Sequence, residues 1–235
     1  MISLPVLVGI TQRVVPVPSR NERRDTLDQA WIPFLAAAGL EPLAVPNLHP
    51  DPPGYLRRLG ARGLILSGGG NISLGLGTRD GRPARFPEID TDLAPERDET
   101  ETALLRASVE EGWPVLGVCR GMQALNLFHG GSLIRLAGHA GTQHPLATRD
   151  AHGSAEPFVF DPEVNSFHDL GIAGDGVGSD LEVLADADGM PEAFLHRSLP
   201  HLGIMWHPER NQPFSRNDVE LFRRFFHASR AEDDD

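Results

Sequence analysis

The stretch LGVCRGMQAL, residues 116–125, joins the end of an apolar run to the start of a helical pattern. PVLGVC (114–119) has the length of a buried strand, and GMQALNLFHGG (121–131) carries apolar residues at helical spacing. A strand that turns straight into a helix is the repeating unit of a sheet with crossover helices. Outward from this corner, the same alternation runs back to the start of the chain. PVLVGI (5–10) reads as a buried strand, and RRDTLDQAWIPFLAAAG (23–39) as a helix with Gly39 at its C-cap. EPLAVP (41–46) reads as a short strand, PPGYLRRLG (52–60) as a brief helix, and RGLILSGGG (62–70) as a strand running into glycines. ERDETETALLRASVEEG (96–112) reads as a helix ended by Gly112. This order predicts the α/β class: a doubly wound, mainly parallel sheet with helices on both faces.

Past residue 140 the texture changes. PFVF (157–160), LEVLAD (181–186), EAFLHR (192–197) and LGIMW (202–206) are strand candidates separated by Gly, Asp and Pro. One clear helix follows, DVELFRRFFHAS (218–229). The second half is therefore expected to be strand-rich and to extend the same sheet. No linker, internal repeat or low-complexity block interrupts the chain, so residues 1–230 are expected to form one domain. The longest irregular insert, 70–95, carries Arg79, Arg82 and Arg85 and has the length of an active-site lid or an ordinary surface loop.

Of 235 residues, 40% are hydrophobic and 23% charged, which suffices for a substantial core in an ordinary globular protein. The net charge of −12 disfavours non-specific binding of nucleic acid, whose phosphates it repels. The tail AEDDD is expected to fray, at least over 231–235. A single cysteine excludes an internal disulfide and fits a cytoplasmic setting. MISLPVLVGI lacks a basic leader region and is too short for a signal peptide or a membrane span.

That single cysteine, Cys119, occupies the corner. Gly117-Val118-Cys119-Arg120-Gly121 has the form G-x-C-x-G, the cysteine counterpart of the nucleophile elbow. A helix beginning just beyond the thiol favours negative charge there, lowering its pKa. A lone cysteine can equally be a small buried hydrophobe. LGIMWHPE places His207 after an apolar run with Glu209 two residues on, a base with a carboxylate to orient it; a solvated His-Pro-Glu turn is the plainer alternative. LILSGGGN (64–71) ends a strand in glycines whose amides can bind an oxyanion, with Gly69 and the Arg120 amide as the expected donors. An ordinary tight turn is the other reading, and neither G-x-x-x-x-G-K-[ST] nor G-x-G-x-x-G is present. No histidine–cysteine spacing suggests zinc, so neither a metal nor another cofactor is expected.

Together GVCRGMQ, the SGGG strand end and WHPE resemble the class I glutamine amidotransferase superfamily, whose fold is a flavodoxin-like sheet. GVCRGMQALNLFHGGSL, VNSFH and ERDETE are most similar to its stand-alone γ-glutamyl hydrolases, the peptidase C26 group. The resemblance implies Cys119 as nucleophile, His207 as acid and base, and Glu209 as its orienter. It also implies that Gln123 and the stretch Asn165, Ser166 and Phe167 hold the α-amino and α-carboxylate end of the glutamyl group. Two positions depart from the group: Met205 stands where Gln is frequent, and Gly70-Asn71 follows the glycine pair, leaving the donor amide open by one residue.

The substrate implied is a small γ-glutamyl compound. GITQR, NERRDTLDQAW, VNSFH and GIMWHPER look closer to γ-glutamyl-CDP-amidate hydrolases than to γ-glutamyl-γ-aminobutyrate hydrolases. Arg13, Arg20, Arg23 and Arg24, with the insert arginines, are candidate partners for a diphosphate. Other readings are a glutaminase subunit delivering ammonia to a partner synthase, and a non-enzymatic binding module. A homodimer is compatible with all of these.

Overall fold

A computed structural model describes residues 5–73, 75–136, 138, 140–149 and 158–228. The first strands are β1 (Val6–Thr11), β2 (Arg13–Val17), β3 (Glu22–Thr26), β4 (Leu40–Val45), β5 (Leu64–Leu66) and β6 (Val115–Val118). The later ones are shorter or antiparallel: β7 (Ile134–Arg135), β8 (Thr142–Pro145), β9 (Ala147–Thr148), β10 (Glu163–Ser166) and β11 (Leu170–Gly171). The last are β12 (Leu181–Ala187), β13 (Met190–His196) and β14 (His201–Ile204). The helices are α1 (Trp31–Ala37), α2 (Pro52–Leu59), α3 (Pro95–Glu111), α4 (Arg120–Phe128) and α5 (Arg216–Ala228).

Eight strands form one sheet in the order β4-β1-β5-β6-β14-β13-β12-β9. The five from β4 to β14 are parallel, and β13, β12 and β9 continue antiparallel. Strand side chains alternate between two cores, as the two-residue period requires. Leu64 and Leu66 pack with Leu56 of α2, Leu104 of α3 and Leu125 of α4. Ile65 faces the opposite way, into the cluster holding Phe34 of α1 and Phe222 of α5. Those two rings meet edge-on with centroids 4.9 Å apart. The expected mainly parallel sheet, with helices on both faces and a strand-rich second half, is what the chain forms.

Two segments differ from expectation. The helix expected over 23–39 begins only at Trp31, and Glu22–Thr26 is instead the exposed second strand of a hairpin with β2. Tertiary contacts override helical propensity there: Arg23 bonds Glu96, and Asp25 accepts from the Asn47 backbone and side-chain amides. The Asp28 carboxylate then accepts the Ala30 amide just before α1. PFVF is not a strand. Phe158–Phe160 joins no ladder, and Phe160 packs edge-on against Trp206 at 5.5 Å, while Pro157 lies outside the described residues.

The insert 70–95 is irregular apart from isolated bridges at Asn71–Leu93 and Arg85–Ser132 among the described residues. It is tied down, with Ile72 and Leu76 buried and the Arg79 amide bonded to the Phe128 carbonyl at 2.8 Å. The acidic tail 231–235 lies outside the described residues. Among them, no helix is long and apolar enough to cross a membrane.

Candidate active site

Cys119 sits between β6 and α4 with φ 52° and ψ −107°, a conformation few side chains adopt. Its amide bonds the Ile204 carbonyl of β14 at 2.8 Å. The flanking glycines are steric requirements. A Cβ at Gly117 would lie 2.5 Å from the Gly121 carbonyl oxygen, and one at Gly121 would lie 2.1 Å from the Leu66 oxygen. The G-x-C-x-G spacing is therefore what lets α4 start directly over β5 and β6. Because β6 and β14 are parallel neighbours, with Val118 opposite Ile204, their ends bring Cys119 and His207 together.

His207 Nδ1 bonds Glu209 Oε1 at 2.7 Å, and both side chains are almost completely buried. The carboxylate fixes the proton on Nδ1 and leaves Nε2 for chemistry. Burial alone pushes an imidazole pKa down, but the Cys119 thiolate and Glu209 outweigh it and raise His207 to about 9. Burial likewise pushes the Cys119 thiol up, and His207, the Arg120 amide and Arg210 bring it below its usual value. Each group thus favours the charged form of the other. Other histidines show the contrast. Burial holds His129 down at about 2 and His201 at about 3, in a chain bonded to Ser108 at the opposite end of the strands.

The sequence-implied residues divide. Asn165 is a clamp on His207: its Oδ1 accepts the His207 amide and its Nδ2 donates to the His207 carbonyl, both at 2.8 Å. Replacing Asn165 by Ala is expected to lower kcat by roughly 10–100-fold, because a small displacement of a reacting group is costly. KM should change less, and steady-state kinetics beside a melting curve checks this; an unchanged kcat would remove the clamp from the argument. Gln123 is buried on α4 and donates to the Leu170 carbonyl at 2.9 Å. Ser166 is fully buried, and its hydroxyl has no hydrogen-bond partner among the described residues. Phe167 is half exposed, edge-on to His207, with the Arg210 guanidinium 4.5 Å above its ring.

The glycine loop is anchored from behind. Arg97 donates to the carbonyls of Ser67 at 2.5 Å and Gly69 at 2.6 Å. In a trans peptide the carbonyl and the following N–H point oppositely, so the Gly68 and Gly70 amides turn away from Arg97. A Cβ at Gly68 would fall 2.4 Å from His207 Cε1 and 3.4 Å from the Cys119 Cβ. Gly68 is therefore the residue that abuts the pair, with Gly69 (φ +80°) beside it, under Arg13.

Arg97 belongs to a buried ionic network built by the ERDETE segment. Arg97 pairs with Glu101, and Arg120 pairs with both Glu101 and Asp98. Asp98 accepts from the Ser73 amide and hydroxyl, and Glu101 from Thr11. In the sequence this segment reads as the start of a helix and as part of the resemblance, and nothing local marks the network.

A pocket of about 240 Å³ opens over His207 and Gly68, between the β2–β3 hairpin and Trp31. Arg13 and Arg210 are the arginines in its lining, Arg13 bonded to Asp92 at 2.7 Å and Arg210 lying 3.6 Å from Glu209. Arg23 and Arg24 are paired with Glu96 and Glu22. Arg79 approaches Asp180 and acts on the distant histidine chain. Arg210 was missed because nothing but its place after Glu209 marks it.

Against known proteins, the peptidase C26 family model matches residues 6–209. The chain belongs to the peptidase C26 family. A γ-glutamyl-CDP-amidate hydrolase from Campylobacter jejuni is 28% identical over 225 residues, 94% of this chain and 98% of that one. A γ-glutamyl-γ-aminobutyrate hydrolase from Escherichia coli O157:H7 is 31% identical over 232 residues, 89% and 88% of the two chains. A glutamine amidotransferase structure from Thermotoga maritima superposes with a TM-score of 0.59 at 13% identity, covering 96% of this chain and 85% of the other. This C26 member is thus a hydrolase with the class I glutamine amidotransferase fold.

Proposed function

We propose that the protein hydrolyses the γ-amide bond of a small γ-glutamyl substrate through a Cys119–His207–Glu209 triad. The observation that carries this reading is the buried His207–Glu209 pair lining a pocket, with the Cys119 thiol beside the imidazole. The Cys119 thiolate attacks the γ-carbonyl carbon, and the tetrahedral oxyanion takes hydrogen bonds from the Arg120 amide and the Gly68–Gly69 segment. Imidazolium His207 gives its proton to the departing nitrogen, which leaves as the amine. Neutral His207 then takes a proton from water, the hydroxide attacks the thioester carbonyl, and the C–S bond breaks to release glutamate and restore the Cys119 thiolate.

Of the two leaving groups considered, the CDP-amidate fits slightly better. Arg13 and Arg210 line the pocket, and guanidinium groups match phosphate oxygens. The test is glutamate release by the purified protein alone from glutamine, γ-glutamyl-γ-aminobutyrate and γ-glutamyl-CDP-amidate. Preference for the last supports the reading, and preference for γ-glutamyl-γ-aminobutyrate replaces it. Release only with an added synthase would make the chain a glutaminase subunit.

Because His207 must carry the leaving-group proton, kcat is expected to hold through neutral pH and fall above about pH 9, where His207 deprotonates. That alkaline limb belongs to the coupled Cys119–His207 pair. A rate still rising at pH 10 would contradict it.

A further inference from the structure

Three side chains that the proposed reaction does not use converge at one place, and one of them, Glu192, feels the charge of Cys119. His144 lies on β8, His168 two residues beyond β10, and Glu192 on β13. One donor atom from each lies within 4.8 Å of the others. The His144 and His168 Nε2 atoms are each 3.8 Å from a different oxygen of the Glu192 carboxylate. The His168 and Glu192 side chains are 2% exposed and that of His144 12%, so water competes little for these donors.

The cluster stands on fixed backbone. His144 pairs with Val164 in the β8–β10 ladder, and the Glu192 carbonyl accepts the Met205 amide at 2.8 Å. His168 Nδ1 lies 2.9 Å from the Leu170 carbonyl, which can only accept, so Nδ1 carries the proton and donates it. Nε2 then faces Glu192, 3.8 Å from Oε1. A backbone carbonyl behind one ring nitrogen and a lone pair in front is the arrangement that orients metal-ligating histidines.

We propose that His144, His168 and Glu192 form a binding site for a divalent transition-metal ion, zinc by its donor chemistry. Two imidazoles and one carboxylate are a recurrent zinc donor set that leaves a fourth position for water or another ligand. Bonds of about 2.0–2.1 Å would place tetrahedral donors roughly 3.4 Å apart. The observed 3.8 Å separations need only a slight contraction. Chain spacing hides the site, because its members sit on segments brought together only by strand pairing.

The test is zinc binding to tag-free Cys119→Ser protein, by calorimetry and by metal content after dialysis. This background removes the thiol as a ligand and needs no substrate, so the result is independent of the hydrolase reading. One equivalent of zinc is expected, weakened at least tenfold in His168→Gln and in Glu192→Gln. Should either buried variant fail to fold by circular dichroism, His144→Gln, at the most exposed of the three positions, decides by the same criterion. No binding at tens of micromolar zinc would overturn the proposal. So would unchanged affinity in the variants.

Discussion

Cys119→Ser is expected to abolish glutamate release, lowering kcat by roughly 10³-fold or more. The serine hydroxyl is nearly isosteric with the thiol, so the elbow and its φ of 52° should survive. What changes is the charge state. The wild-type thiol is drawn below its usual value by His207, the Arg120 amide and Arg210. A serine hydroxyl at that place stays protonated, and His207 loses the thiolate that raises its pKa. The variant therefore lacks both the nucleophile and the pre-charged acid. Its melting temperature should stay within a few degrees of wild type. Measuring both separates the two roles that a lone cysteine can have: loss of activity with stability kept identifies a nucleophile, whereas activity retained in the serine protein would return Cys119 to a packing residue.

The parts of this site that could be read from sequence are those whose chemistry is local. The elbow is legible because Gly117 and Gly121 are forced by contacts of 2.5 Å or less around one corner. His207 and Glu209 are legible because their hydrogen bond needs only a two-residue spacing. The parallel order of the sheet follows from alternating apolar runs, each with its own length and terminators. The hairpin at 13–26 was not legible, since ERRDT has helix-compatible composition and becomes a strand through contacts to Glu96 and Asn47. The same holds for Asn165, whose part as a clamp depends on residue 207, 42 positions away. Strands of only two to four residues, such as β7, β8 and β11, carry too little periodicity to be seen at all. Long-range partners, rather than local pattern, decide each of these.

The buried ionic network makes the same point with a larger energy. Arg120→Met is expected to destabilise the protein by about 3–5 kcal/mol, the usual cost of removing one partner from a buried ion pair. At this chain length that corresponds to a fall in melting temperature of roughly 6–20 °C. Arg120 is 1% exposed, and its loss leaves Asp98 with only the Ser73 bonds and Glu101 with Arg97 and Thr11. The sign of the pH dependence follows. Burial already raises the Asp98 pKa and Arg120 opposes that rise, so the variant's Asp98 rises further. A carboxyl whose folded pKa exceeds its unfolded value binds more protons when folded, and that state gains stability as pH falls. The deficit of Arg120→Met should therefore be smaller at pH 5 than at pH 8. Arg120→Lys keeps the charge but cannot span both carboxylates with one planar fork, so it should fall between Met and wild type. Thermal melts at the two pH values test this directly. A deficit that grew as pH fell would mean that Asp98 is not the charge Arg120 holds. Activity should fall with stability, because this network carries Arg97, and Arg97 holds the carbonyls of the loop that meets Cys119.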